Sequence, residues 1–164
     1  LYQAEYIREI FFKRTLNVSA LNNYLSCPLK YFYKNLLQIP SSYESRLEFG
    51  SSIHESLEEF FRQSKDAEKI LDKSVLLKIF DVIISDKSFS DKEEKKFRER
   101  GEELLGEYYD AHSGGWTHKV DLEKYIKRDV ETENGEAITI SGKIDKIEYL
   151  DGLFGGKVNI IDYN

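Results

Sequence analysis

Three side chains carry the chemistry that residue type and spacing can support. Asp145 and Asp162 lie in two strand-like segments, 137–150 and 157–163, joined by the Gly-rich stretch Asp151 to Gly156. With the hairpin centred between Leu153 and Phe154, Tyr149 faces Val158 and Asp145 faces Asp162. Directly opposed residues stand about 4.5–5.5 Å apart, and like charges at that separation destabilise a sheet. A hard divalent cation takes oxygen ligands and offsets the repulsion. The alternative is a pair of solvated strand-end aspartates, which a bulge or a one-residue slip would part. His54 sits beside an apolar helical stripe, near Leu57 and Phe61, where a histidine alone is more often a boundary residue than a ligand. His112 and His118 flank a glycine-containing segment and read as surface residues.

The elements that must position these groups come in two runs. A short helix is expected over 3–14, and Ser19 is a plausible N-cap for a second through Leu25. Pro28 suits the first turn of a third, LKYFYKNLL, which ends before Pro40. Phe49-Gly50-Ser51-Ser52 looks like the start of the His54 helix, with Ile53, Leu57, Phe60 and Phe61 on one face. Residues 74–84 form an apolar helix with Leu76, Ile79, Phe80 and Ile83 inward. Ser90 with Glu93 makes a capping box for a helix bearing Phe97, Leu104, Leu105 and Tyr108, ended by Gly114-Gly115. After Trp116 the period changes to two: a strand in 120–130, a turn at Glu133-Asn134-Gly135, then the two aspartate-bearing strands, with Ile138, Ile140 and Ile144 on one face. Helices followed by a meander predict an α+β fold with a small mixed, mostly antiparallel sheet flanked by helices.

The chain's 164 residues suit one domain, read as N-terminal helices with the histidine (17–65), a helical insertion (66–115) and the β-meander (116–164). A hydrophobic fraction of 40% suffices for a core, and 33% charged residues point to a soluble protein. No apolar run approaches the roughly 20 residues needed to cross a bilayer. Charges interrupt the opening LYQAEYIREIFF, so no signal peptide is expected, and the start at Leu1 is what a piece of a longer chain would show. The single cysteine, Cys27, excludes an internal disulfide and an all-cysteine metal cluster, and suits a reducing, cytoplasmic compartment. The net charge of -6 argues against tight non-specific DNA binding, yet residues 1–42 carry five basic against two acidic residues. A local basic surface and an acidic remainder that collects cations follow from that asymmetry.

Three blocks in order carry a family likeness: NVSALNNYLSCPLKYFY at 17–33, Phe49-Gly50-Ser51-Ser52-Ile53-His54, and Gly142-Lys143-Ile144-Asp145 followed by Ile160-Ile161-Asp162-Tyr163. The chain resembles the RecB/AddB-like branch of the PD-(D/E)XK nucleases, of the kind fused to UvrD-like superfamily 1 DNA helicases. The resemblance implies a restriction-endonuclease-like core. It makes Asp145 and Asp162 the two acidic metal ligands, His54 a third ligand through a ring nitrogen, and the Tyr163 carbonyl a fourth. A bound Mg²⁺ or Mn²⁺ polarises a phosphodiester oxygen and acidifies a water for in-line attack. It further implies DNA as substrate and a helicase as fused or associated partner, acting in end processing, recombination or repair.

The chain departs from that pattern at Asn164, where the family's catalytic motif has lysine. Asparagine carries no charge to stabilise the transition state. Lost activity, an interrupted sequence or a substitute lysine such as Lys143 are the competing explanations. The resemblance also implies a following helix with a Gln-x-x-x-Tyr motif, so the core is expected to be truncated at its C-terminus. In some relatives a cysteine at the place of Cys27 ligates an iron–sulfur cluster; here the expectation is a plain buried cysteine. Lys30-Tyr31-Phe32-Tyr33-Lys34 mixes basic and aromatic residues as single-strand binders do, but the favoured reading is a core helix with wet lysines. The predicted function is metal-dependent DNA cleavage; the alternative is a catalytically inactive nuclease-fold module for DNA binding or scaffolding.

Overall fold

A computed structural model describes residues 4–40, 44–150 and 156–163. The chain forms two compact units, 1–43 with 125–143 and 44–124 with 144–164. Among the described residues the architecture is α+β, as the change of period predicts, with a four-stranded sheet.

The first unit opens with α1 (Ala4–Lys13) and the two-residue strand β1 (Leu16–Asn17). Helix α2 (Val18–Ser26) is capped by Asn17, whose side chain accepts from the Ala20 amide at 2.7 Å. The expected cap, Ser19, is thus already inside the helix: Asn17 leaves β1 in extended conformation with its side-chain oxygen over the first turn. Cys27 is extended and Pro28 opens α3 (Pro28–Tyr31), which continues as a π-helical turn, Phe32–Leu36. The expected single helix is therefore split. Around the split, the Asn35 carbonyl accepts from the Arg14 guanidinium, and the Asn35 side chain accepts from Asn23. Ala20, Tyr31 and Leu36 are buried here against Ile7, Ile10, Phe11, Leu16 and Phe32.

Strands β2 (Val120–Glu131) and β3 (Ala137–Tyr149) contribute to both units. At their connection Thr132 N–H donates to the Glu136 carbonyl at 2.8 Å, and Gly135 takes φ +75°, a left-handed conformation that glycine adopts without a Cβ penalty. The N-terminal half of β3 pairs in parallel with β1, Leu16 opposite Ile140 and Asn17 opposite Ser141. Sequence reasoning missed this strand: two residues carry no period.

In the second unit α4 (Ser45–Asp66) begins four residues before the expected start at Phe49. Gly50, Ser51 and Ser52 do not break it; the Ser52 hydroxyl donates to the Glu48 carbonyl (2.9 Å) and the Ser56 hydroxyl to the Ser52 carbonyl (2.6 Å). Both serines can therefore be fully buried. Helix α5 (Lys73–Ser85) buries Leu76, Phe80 and Ile84, with the expected inward residues Ile79 and Ile83 on its flanks. Helix α6 (Asp91–His112) starts at the predicted capping box, and a 3₁₀ turn, Ser113–Gly115, ends it at the predicted glycines. Leu57, Phe60, Phe61, Leu76, Phe80, Ile84, Leu105 and Val120 form one core, so the expected insertion (66–115) shares its burial with the His54 helix. Fully buried phenylalanines such as Phe60, Phe61 and Phe80 are worth about 1.5–3 kcal/mol each.

The C-terminal half of β3 pairs antiparallel with β4 (Val158–Ile161). The observed register sets Tyr149 opposite Val158 and Lys146 opposite Ile161, as the assumed hairpin requires. Of its expected turn, residues 151–155 lie outside the described residues. Among the described residues, no helix is long and apolar enough to cross a membrane.

Candidate active site

The observed ladder ends at Lys146–Ile161, one step short of the expected pairing of Asp145 with Asp162. The strand stops at Ile161, and the chain then makes a different bond: the Tyr163 N–H donates to Asp145 Oδ2 at 2.9 Å. The same carboxylate oxygen lies 3.5 Å from His54 Nδ1 on α4. The His54 side chain is 31% exposed and that of Asp145 only 15%. The Tyr163 ring meets the imidazole edge-on, centroids 5.6 Å apart at 89°. Helix and strand thus bring His54, Asp145 and Tyr163 to one place. Asp162 is exposed at the end of β4.

In kind, an imidazole nitrogen with carboxylate oxygens is a donor set that a divalent cation takes. In arrangement the set is partly assembled. Among the described residues no three His, Cys, Asp or Glu side chains are gathered closely enough to hold an ion. Like charges on facing strands repel. Asp145 accepts from the Tyr163 amide and lies 3.5 Å from the imidazole, and Asp162 is exposed at the strand end.

Asn164 lies outside the described residues. Lys143 is exposed. His112 is exposed, as expected, and stacks against Tyr108; His118 is half-buried. Cys27 is exposed, not buried, because it is the extended hinge between α2 and α3. In the basic-aromatic segment Tyr31 is core, whereas Lys30, Tyr33 and Lys34 are exposed.

Sequence reasoning missed a buried ion pair directly behind Asp145. Lys146 and Glu148 are 0% and 3% exposed, with Nζ and Oε1 2.9 Å apart, although not aligned as a hydrogen bond. The ammonium lies 3.6 Å from the centroid of Phe61, and 5.5 and 5.8 Å from the rings of Trp116 and Tyr163. Burial pulls the lysine below its ordinary pKa and Glu148 pulls it back up. Asn159, opposite Glu148 on β4, donates to its other oxygen at 3.1 Å. Burial also pushes the Tyr163 phenol far above the ordinary tyrosine range, reinforced by Tyr108, Glu148 and Asp145, so it is a neutral hydroxyl.

A mixed sheet with helices, its acidic strand end faced by a helical histidine, is a restriction-endonuclease-like fold. Residues 15–163 match the PD-(D/E)XK nuclease superfamily, and the chain belongs to it. It is 26% identical over 185 residues to an ATP-dependent helicase/deoxyribonuclease subunit of Carboxydothermus hydrogenoformans. That alignment covers 95% of this chain and 16% of the relative, so the chain spans about one sixth of the relative's length.

Proposed function

We propose that this chain is a metal-dependent DNA nuclease domain of a helicase–nuclease that processes DNA ends in the cytoplasm. The observation that carries the reading is the approach of His54 Nδ1 to Asp145 Oδ2, 3.5 Å, inside a PD-(D/E)XK chain. The family match runs through both compact units, which supports treating them as one nuclease domain. The helicase association rests on the relative, whose name couples a helicase with a deoxyribonuclease.

In this reading His54, Asp145, Asp162 and the Tyr163 carbonyl would hold Mg²⁺ or Mn²⁺. When bound, the ion supplies Lewis-acid polarisation of the phosphodiester and a more acidic water. The protein's own part is orientation. The Tyr163 amide fixes one oxygen of Asp145, and His54 approaches that same oxygen. Asp162 is exposed to solvent at the end of β4.

Asn164, standing where the family motif has lysine, favours a second reading: a nuclease fold retained for DNA binding or scaffolding. DNA cleavage in Mn²⁺ by the natural sequence and by Asn164→Lys separates the two. Cleavage that disappears in Asp145→Asn and His54→Ala supports the enzyme. Cleavage only after Asn164→Lys marks an intact site lacking its lysine, and none by either marks the scaffold.

A further inference from the structure

Removing an ion pair from water costs more than its mutual attraction commonly returns, and apolar residues of similar volume often do as well or better. Stability is therefore a weak reason for Lys146 and Glu148 to lie in the second unit's interior. Their contacts supply another. The ammonium sits on Phe61, which lies two helical turns from His54 on α4. Glu148 accepts from Asn159 on β4, the strand that leads into Asp162. Both charges stand on β3 within three residues of Asp145. The pair thus touches each element that carries a candidate ligand. Beyond it the Tyr163 ring is bounded by His54, by Tyr108 at 6.2 Å and by the Lys146 ammonium, while its backbone N–H holds Asp145.

We propose that the buried Lys146–Glu148 pair is a positioning device, fixing Tyr163 so that its amide holds the Asp145 carboxylate toward His54. The importance of that orientation for metal binding rests on the proposed nuclease reading. Hydrogen-bond partners of metal ligands typically contribute about 10–100-fold to affinity.

The test replaces the pair with apolar residues, Lys146→Met with Glu148→Leu, in the whole chain. Three quantities are followed: the melting temperature, hydrogen exchange of the Tyr163 amide by NMR, and Mn²⁺ affinity by EPR titration. The expected result is a melting temperature unchanged or raised, at least about tenfold faster Tyr163 exchange, and Mn²⁺ affinity weakened about 10–100-fold. Unchanged amide exchange overturns the proposal, whether the melting temperature holds or falls; in the latter case the pair is a plain stabiliser. If the double variant does not fold, Glu148→Gln carries the test, since it removes the charge at nearly constant volume; faster Tyr163 exchange is expected and unchanged exchange refutes. If the unaltered chain binds no Mn²⁺, the metal reading fails, and the amide readout still decides the positioning role.

Discussion

Replacing Gly101 with alanine sets helix propensity against packing, and the structure says which wins. A Cβ at Gly101 on α6 would stand 2.0 Å from Phe80 Cζ, and 2.5 and 2.8 Å from Cε1 and Cε2. Carbon atoms rest at about 3.5–4.0 Å, so the methyl overlaps the ring by about 1.5 Å. Phe80 cannot step aside, because it is fully buried in a core with Leu76, Ile84 and Leu105. Overpacking a filled core costs about 1–3 kcal/mol, and an overlap this large belongs at the upper end. Alanine recovers about 1 kcal/mol over glycine within a helix. The net expectation is a loss of about 2 kcal/mol. At about 2–4 °C per kcal/mol for a domain of this size, the melting temperature falls by about 4–8 °C. Circular dichroism on heating and in urea measures it. Phe80→Leu in the alanine background should recover part of the loss, the double variant being more stable than the two single effects predict. A melting temperature equal to or above that of the parent would refute the reasoning, since α5 and α6 would then be free to separate.

Ser90→Ala removes the hydroxyl that accepts from the Glu93 amide at the start of α6, and should cost about 1 kcal/mol in urea unfolding; an unchanged midpoint would mean the capping box is not formed in solution. The Tyr149 hydroxyl donates to Asp121 at 2.8 Å and, helped by Lys124 and Lys65 and opposed by partial burial, holds that carboxyl below its ordinary pKa. A lowered folded-state pKa gives stability that is complete above the unfolded value of about 3.9 and fades as pH falls through the folded one. Tyr149→Phe should therefore lower the melting temperature near neutrality and converge with the parent in strong acid; a gap that widened on acidification would contradict the assignment.

Much of the fold was legible because its signals are local and repeat. The 3.6-residue apolar period placed α5 and α6, and Ser90 with Glu93 marked a helix start that the structure reproduces. The turn at Gly135 and the β3–β4 register followed from period two and from glycine's freedom at positive φ. What failed was local ambiguity between adjacent candidates. Asn17 and Ser19 can both cap a helix, and only the extended exit from β1 selects Asn17. The glycine and serines at 50–52 imitate a helix start, whereas the Ser52 hydroxyl is satisfied inside α4. The burial of Cys27 was misjudged because composition ranks cysteine as buried, and no sequence period reveals a residue serving as the hinge between two helices.

The candidate site was legible to a different depth. The register of β3 against β4, from Tyr149–Val158 to Lys146–Ile161, was available by counting alone, because a hairpin fixes every pair once one is known. What lies behind Asp145 was obscured by the rule that charged residues belong outside. Yet the information to overrule it was present in parity. Ile144, Lys146 and Glu148 occupy alternate positions of one strand and must share a face. If Ile144 points inward, so do the lysine and the glutamate, and two opposite charges at that spacing can neutralise each other there. Residues 146–148 are in fact all buried, so both faces of β3 are covered where it carries the acidic motif residue. A charged pair on the inward parity of a strand beside a motif carboxylate is therefore a readable signal, and it points to the surroundings that hold the carboxylate in place.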